Sequence, residues 1–269
     1  MSYLSLNRKF YFSITHSHLI FRMGSKIIKA GANQMHGHNY ILDVKVGGEL
    51  DKKTGMVINI SEIDSTIKAS VLKNLDGKYL NNEMSFLKKP PTSEEILKYI
   101  WKTLNGQFEK IDLLNIRLRE DPWLSVMKER EDLIQLTKRY HFSAAHRMNS
   151  PYLNAEENLD IFGKCNNIHG HGHNYYLDVT IKGHPDSTTG LLINHTEFDN
   201  IVNASVIDRY DHKFLNKDVE EFKGKNATAE LIIKNIWDIL YPRLSNLYKL
   251  TLHETNKNSF EYYGENNFS

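Results

Sequence analysis

Cysteine is almost absent from this chain: Cys165 is the single one, so no intrachain disulfide can form. That usage sets a reducing, cytoplasmic compartment as the expectation. Long apolar runs are missing too, and none approaches the roughly 20 residues that span a bilayer. Met1 to Phe12 alternates polar and apolar residues where a secretion signal would need a continuous apolar core. There is no excess of either charge, since Lys+Arg 34 against Asp+Glu 33 leaves a net +1. Without a block of like charge, neither nucleic acid nor a membrane surface is an expected partner. What remains is an ordinary globular composition, 40% hydrophobic and 25% charged over 269 residues. That length suffices for two domains, each with its own core. Histidine, at 13, is the one type in excess.

The histidines mark a repeat. His36-Gly37-His38-Asn39-Tyr40 recurs as His171-Gly172-His173-Asn174-Tyr175, a shift of 135. The same shift carries Leu42-Asp43-Val44 onto Leu177-Asp178-Val179, Thr54-Gly55 onto Thr189-Gly190, Asn59 onto Asn194 and Asp76 onto Asp211. It becomes 136 for Thr92 and Thr228, 134 for Glu120 and Glu254, and 130 upstream, where His16 matches His146. A register held over that length is a tandem duplication. The copies divide as residues 1–130 and 131–269, with extra residues between His146 and His171 in the second.

Each copy reads the same way. Two alternating strands come first, around 8–15 and 39–47 or 136–144 and 174–182, followed by an Asp-x-x-Thr-Gly turn. A helix begins after Ser61 or Thr196 as N-cap, and a second begins near Thr92 or Thr228. Thr92 with Glu95 suggests a capping box, and Ile96, Leu97, Ile100, Trp101 and Leu104 form its apolar stripe. Two strands close each copy, so the order is ββααββ and the class α+β.

Side chains two apart on a strand share a face, so His171 and His173 can converge on one ion. The repeat supplies a third ligand: His146 and His16 hold matching positions at the end of the first strand. His169 shares the strand face, but its match in the first copy is Gln34. The expected metal ligands are therefore His146, His171 and His173, and His16, His36 and His38. Three neutral imidazoles suit zinc and leave one coordination position open, as at a catalytic site.

The second copy, with Phe142-Ser143-Ala144-Ala145-His146, Cys165 through Tyr175, Asp211-His212 and His253-Glu254-Thr255, closely resembles the 6-pyruvoyltetrahydropterin synthase family over 138–265. The first copy is similar, less completely, over about 7–128. The resemblance implies two tandem T-fold modules with antiparallel sheets and two helices each. It also implies a lyase of tetrahydrobiopterin biosynthesis that converts 7,8-dihydroneopterin triphosphate to the pyruvoyl pterin with loss of triphosphate. Carried over residue by residue, it makes Cys165 the base or proton shuttle. His212, oriented by Asp211, joins that relay from a neighbouring module. Glu254 holds the pterin through paired hydrogen bonds, and Thr228 is either a ring contact or simply a helix cap.

The first copy departs from that pattern. Ala30 stands where the second copy has Cys165, and Gly77 where it has His212. By this chemistry the first copy is catalytically silent. If the relay comes from a neighbour, second copies must adjoin second copies, which three chains satisfy with one ring of each kind stacked. The nearest rival is 6-carboxytetrahydropterin synthase of queuosine and deazapurine biosynthesis. Five residues (166–170) separate Cys165 from the first metal histidine here, where that relative typically has three. An aldolase-like variant and a non-catalytic pterin- or zinc-binding scaffold are the remaining alternatives.

Overall fold

Period-two alternation builds the long strands. A computed structural model describes residues 2–17, 20–23, 26–29, 35–83 and 90–265; Ala30 and Gln34 lie outside them. In β1 (Tyr3–His16) the residues Phe10, Phe12, Ile14 and His16 are buried while Tyr11 between them is exposed. The chain divides into two units, Met1–Leu136 with Lys182–Asn194, and Thr137–Ile181 with His195–Ser269.

In the first unit, β2 (Ile20–Met23) and β3 (Lys26–Lys29) form a separate antiparallel pair. Strand β4 (His36–Glu49) pairs antiparallel with all of β1, from Tyr3 opposite Glu49 to His16 opposite His36. Helix α1 (Ile60–Ile67) runs through a π turn, Lys68–Leu72, into α2 (Lys73–Leu75). Next come β5 (Lys78–Tyr79), parallel to β1, then α3 (Leu80–Glu83) and α4 (Ser93–Leu104). Strands β6 (Asp112–Arg119) and β7 (Leu124–Glu129) complete the sheet in the order β1-β4-β6-β7. The stripe Ile96, Leu97, Ile100, Trp101 and Leu104 of α4 is buried, and the helix packs on β6 and β7. Each such fully buried apolar side chain contributes about 1.5–3 kcal/mol.

The second unit repeats this plan. Strand β8 (Ile134–His146) lies beside β9 (His171–Gly183), with α5 (Ala155–Phe162) and a short turn, Gly163–Asn166, between them in sequence. Then follow α6 (His195–Val202), a π turn Asn203–Ile207, α7 (Asp208–Tyr210), β10 (Lys213–Phe214), α8 (Leu215–Asp218) and α9 (Ala229–Leu240). Strands β11 (Leu247–His253) and β12 (Ser259–Tyr262) close the sheet, β11 pairing with β9 and β12 with β11, all antiparallel. Strand β10 runs parallel to β8. The architecture is mixed α+β, with strand pairing mostly antiparallel. Among the described residues no helix is long and apolar enough to cross a membrane.

The start of the first helix differs from the sequence reading. Asn59, not Ser61, is the N-cap of α1, its Oδ1 accepting from Ser61 N at 3.0 Å. Two capping residues lie two apart there, and Asn caps as well as Ser, so the helix begins earlier. Helix α6 likewise starts at His195, which puts Thr196 in its first turn. At α4, Thr92 Oγ1 accepts from Glu95 N (3.2 Å) and the Glu95 carboxylate pairs with Lys98 (3.0 Å). A reciprocal capping box stands instead at α5, between Asn154 and Glu157.

Candidate active site and metal centres

Strand pleat and register bring the histidines together. His36, His38 and Tyr40 alternate onto one face of β4, and His16 stands directly opposite His36. The ring centroids of His16–His36, His16–His38 and His36–His38 are 4.4, 5.1 and 5.0 Å apart. The corresponding distances among His146, His171 and His173 are 4.4, 5.2 and 4.9 Å. In each trio one ligand atom per residue lies within 4.8 Å of the others, so both could hold a metal ion. His169 belongs to neither trio.

The deepest ring of each trio is fixed from behind. His16 Nδ1 donates to Pro91 O (2.7 Å) and His146 Nδ1 to Ala227 O (2.6 Å), the residue before each helix-capping threonine. That leaves Nε2 of each ring to face its neighbours. Nε2 of His146, Nδ1 of His171 and Nε2 of His173 are buried with no hydrogen-bond partner among the described residues. A clustered trio of imidazoles, each with a buried unpartnered nitrogen, is what a metal site presents without its ion. Burial lowers the pKa of all three imidazoles below the ordinary value, and that of His16 to about 4. Proton competition at neutral pH is therefore weak.

Glu254 Oε1 lies 3.8 Å from Nε2 of both His146 and His173. Its counterpart Glu120 lies 3.5 Å from His38 Nε2, and accepts from Ser93 Oγ at 2.5 Å and Tyr40 OH at 3.4 Å. The second unit has Ala229 in place of Ser93, and the hydroxyl of Tyr175, the match of Tyr40, is buried without a hydrogen-bond partner among the described residues. The sequence reading passed over Tyr40, Tyr175, Ser93 and Glu94. The tyrosines were visible as the last residue of the repeated His-Gly-His-Asn-Tyr motif.

Asp211 and His212 follow α7. Asp211 Oδ1 accepts from Ser143 N (2.8 Å), its Oδ2 accepts from His212 Nδ1 (2.8 Å), and His212 N donates to Ser143 O (2.7 Å). The backbone hydrogen bond from Ser143, ahead of the pairing with His212, holds the Asp211 carboxyl below the usual carboxylate range. The first unit keeps the same clamp, Ser13 N to Asp76 Oδ1 (2.9 Å) and Gly77 N to Ser13 O (2.8 Å), without an imidazole. His212 has φ 56° and Gly77 has φ 70°. His212 is the one non-glycine residue with positive φ among those described. It shares an open concavity of about 480 Å³ with Ser143, His173 and Asn174.

Cys165 sits half-buried in the Gly163–Asn166 turn, its carbonyl accepting from Met148 N (2.9 Å). Arg147, next to His146, holds the following residue through Asn166 O and Oδ1, both at 2.9 Å. The thiol is not one of the groups that converge in the His146 trio. Thr228 acts as a helix cap, its Oγ1 accepting from Leu231 N at 3.4 Å.

The family model for 6-pyruvoyl tetrahydropterin synthase matches this chain twice, over residues 5–131 and 135–265. The chain belongs to that family. As a 6-pyruvoyl tetrahydropterin synthase family member of two tandem modules, it is 46% identical over 132 residues to the 6-pyruvoyl tetrahydrobiopterin synthase of Drosophila melanogaster, covering 48% of this chain and 79% of that one. It is 41% identical over 133 residues to the Homo sapiens protein of that name, covering 49% and 92%. The solved structure of the Caenorhabditis elegans 6-pyruvoyl tetrahydropterin synthase is 38% identical with a TM-score of 0.48, covering 51% of this chain and all of that one.

Proposed function

We propose that the chain is a zinc-dependent, cytoplasmic 6-pyruvoyltetrahydropterin synthase whose catalysis resides in the second module, residues 131–269. The first module, 1–130, has a structural role. The observation that carries this reading is a contrast. Both modules hold the same histidine trio and the same aspartate clamp, but only the second adds a thiol, Cys165, and an imidazole, His212.

His146, His171 and His173 would hold the zinc of the active site, and His16, His36 and His38 a second ion. When bound, zinc supplies Lewis-acid polarisation of the substrate's side-chain oxygens. Cys165 takes and returns the proton at the side-chain carbons as the thiolate. His212, kept in one tautomer by Asp211 Oδ2, passes that proton on. Glu254 accepts two parallel hydrogen bonds from the pterin ring N–H and amino group. The substrate 7,8-dihydroneopterin triphosphate loses triphosphate, and its side chain rearranges to the pyruvoyl form by internal redox. No nicotinamide or outside oxidant is consumed. A homo-oligomer is part of this reading, supported by the 83% exposure of the His212 side chain, which leaves it accessible to a neighbouring chain.

Incubating the protein with 7,8-dihydroneopterin triphosphate and identifying the product by mass tests the proposal. Release of 6-pyruvoyltetrahydropterin with triphosphate supports it. A 6-carboxy product, carbon–carbon cleavage or untouched substrate would each exclude it.

A further inference from the structure

One corner of the second-module site is open where its counterpart in the first module is closed. In the first unit Tyr40 OH and Ser93 Oγ lie 2.9 Å apart. Glu120 Oε2 completes the triangle, accepting from Ser93 Oγ at 2.5 Å and from Tyr40 OH at 3.4 Å. The matching residues of the second unit are Tyr175, Ala229 and Glu254. Ala229 is buried and brings no hydroxyl. Tyr175 is fully buried, and its OH has no hydrogen-bond partner among the described residues.

The two phenol rings are nonetheless set alike. Tyr40 stacks on Phe12 (5.5 Å, 16°) and tilts against His38 at 5.7 Å. Tyr175 stacks on Phe142 (5.0 Å, 19°) and stands edge-on to His173 at 5.5 Å. Burial, and after it the nearby Glu254 carboxylate, raises the Tyr175 phenol above its ordinary value, so it is present as a neutral O–H donor. What differs is the carboxylate. Glu120 is tethered by two hydroxyls, whereas Glu254 Oε1 lies 3.8 Å from Nε2 of both His146 and His173. A buried hydroxyl without a partner costs stability, and phenylalanine would fill the same space without that cost. A hydroxyl kept under those conditions calls for a partner that arrives with the ligand.

Resting on the pterin synthase reading above, we propose that Tyr175 is a positioning residue for Glu254. When a pterin binds, the Glu254 carboxylate moves from the histidine trio toward Tyr175, whose O–H donates to it as Tyr40 does to Glu120. A carboxylate has about four lone-pair sites on its two oxygens, so Glu254 still accepts both ring donors. The added bond fixes the carboxylate in the orientation that meets them. Because Tyr175 is unpaired in the empty site, this hydrogen bond forms only in the complex, and its whole gain goes to binding. In the first unit the equivalent bonds already exist without a ligand, so Tyr40 confers no such gain.

Equilibrium binding of 7,8-dihydroneopterin to the full chain at measured zinc content, followed by fluorescence, tests the proposal. Every chain carries Glu120→Gln, so that only the second-module glutamate can hold the ring. Tyr175→Phe should bind about tenfold more weakly than this parent, yet melt without ligand at the same or a slightly higher temperature. Adding Ala229→Ser to Tyr175→Phe should recover most of the lost affinity, because a serine there tethers the carboxylate as Ser93 tethers Glu120. A parent that binds no dihydroneopterin would overturn the pterin synthase reading and this proposal with it. Binding by the parent that Tyr175→Phe leaves unchanged would overturn this proposal alone. So would a loss of affinity that comes with a lowered melting temperature, or one that Ala229→Ser does not recover.

Discussion

His212 and Gly77 occupy the same left-handed backbone position, each donating its N–H to the serine that the preceding aspartate clamps. Glycine adopts that conformation without steric cost, whereas a residue with a Cβ is strained there by about 1–2 kcal/mol. Strain retained at an exposed imidazole points to a use for the imidazole. His212→Gly should therefore leave stability unchanged or raise it by about 1 kcal/mol in urea unfolding, while lowering kcat on the order of a hundredfold. A variant with full turnover would remove His212 from the relay.

The paired tyrosines separate a satisfied hydroxyl from an unsatisfied one. Tyr40 bonds Ser93 (2.9 Å) and Glu120 (3.4 Å), so Tyr40→Phe should cost about 1–2 kcal/mol in urea unfolding. Tyr175→Phe, which removes a buried hydroxyl without a partner, should be neutral or slightly stabilising. Equal losses would show that the two modules hold their glutamates in the same way.

Glu94 gives the stability a pH dependence of defined sign. Burial raises its carboxyl from 4.5 to about 7, against the hydrogen bond from Leu192 N. The folded state then keeps a proton that the unfolded chain releases. Its contribution is fully present below about pH 4.5 and is lost as pH rises through about 7, to a total of about 3 kcal/mol at 1.36 kcal/mol per unit. Unfolding titrations of the wild type and Glu94→Gln across that window should diverge in slope. Parallel curves would show that Glu94 does not titrate there.

Metal content should divide between the trios. The intact chain is expected to carry two equivalents, and His36→Ala or His171→Ala one each, by elemental analysis of the purified protein. Turnover should survive the first substitution and be lost in the second. Loss of turnover in both would give the first module a part in the chemistry.

Much of this architecture was legible because duplication supplies an internal comparison. One His-x-His says little, whereas two with a matched upstream histidine identified His16, which cross-strand register places against His36, and His146, whose ring lies 4.4 Å from that of His171. The strands around 8–15 and 39–47 were found by alternation but run longer, as β1 (Tyr3–His16) and β4 (His36–Glu49), whose outermost residues Tyr3, Leu4, His36 and Glu49 are exposed. The cap at Asn59 was misread because two suitable residues compete within one turn. Ser93 and Glu94 were not legible. Glu94 is defined by a distant backbone group, Leu192 N, and Ser93 by the side chains of Tyr40 and Glu120, approaches that local sequence does not encode.

The thiol of the second module carries the proposed chemistry, and one substitution addresses it. Cys165→Ala, assayed with 7,8-dihydroneopterin triphosphate at measured metal content, should release no 6-pyruvoyltetrahydropterin while retaining the metal of the wild type. Undiminished product formation by that variant would contradict the proposed chemistry.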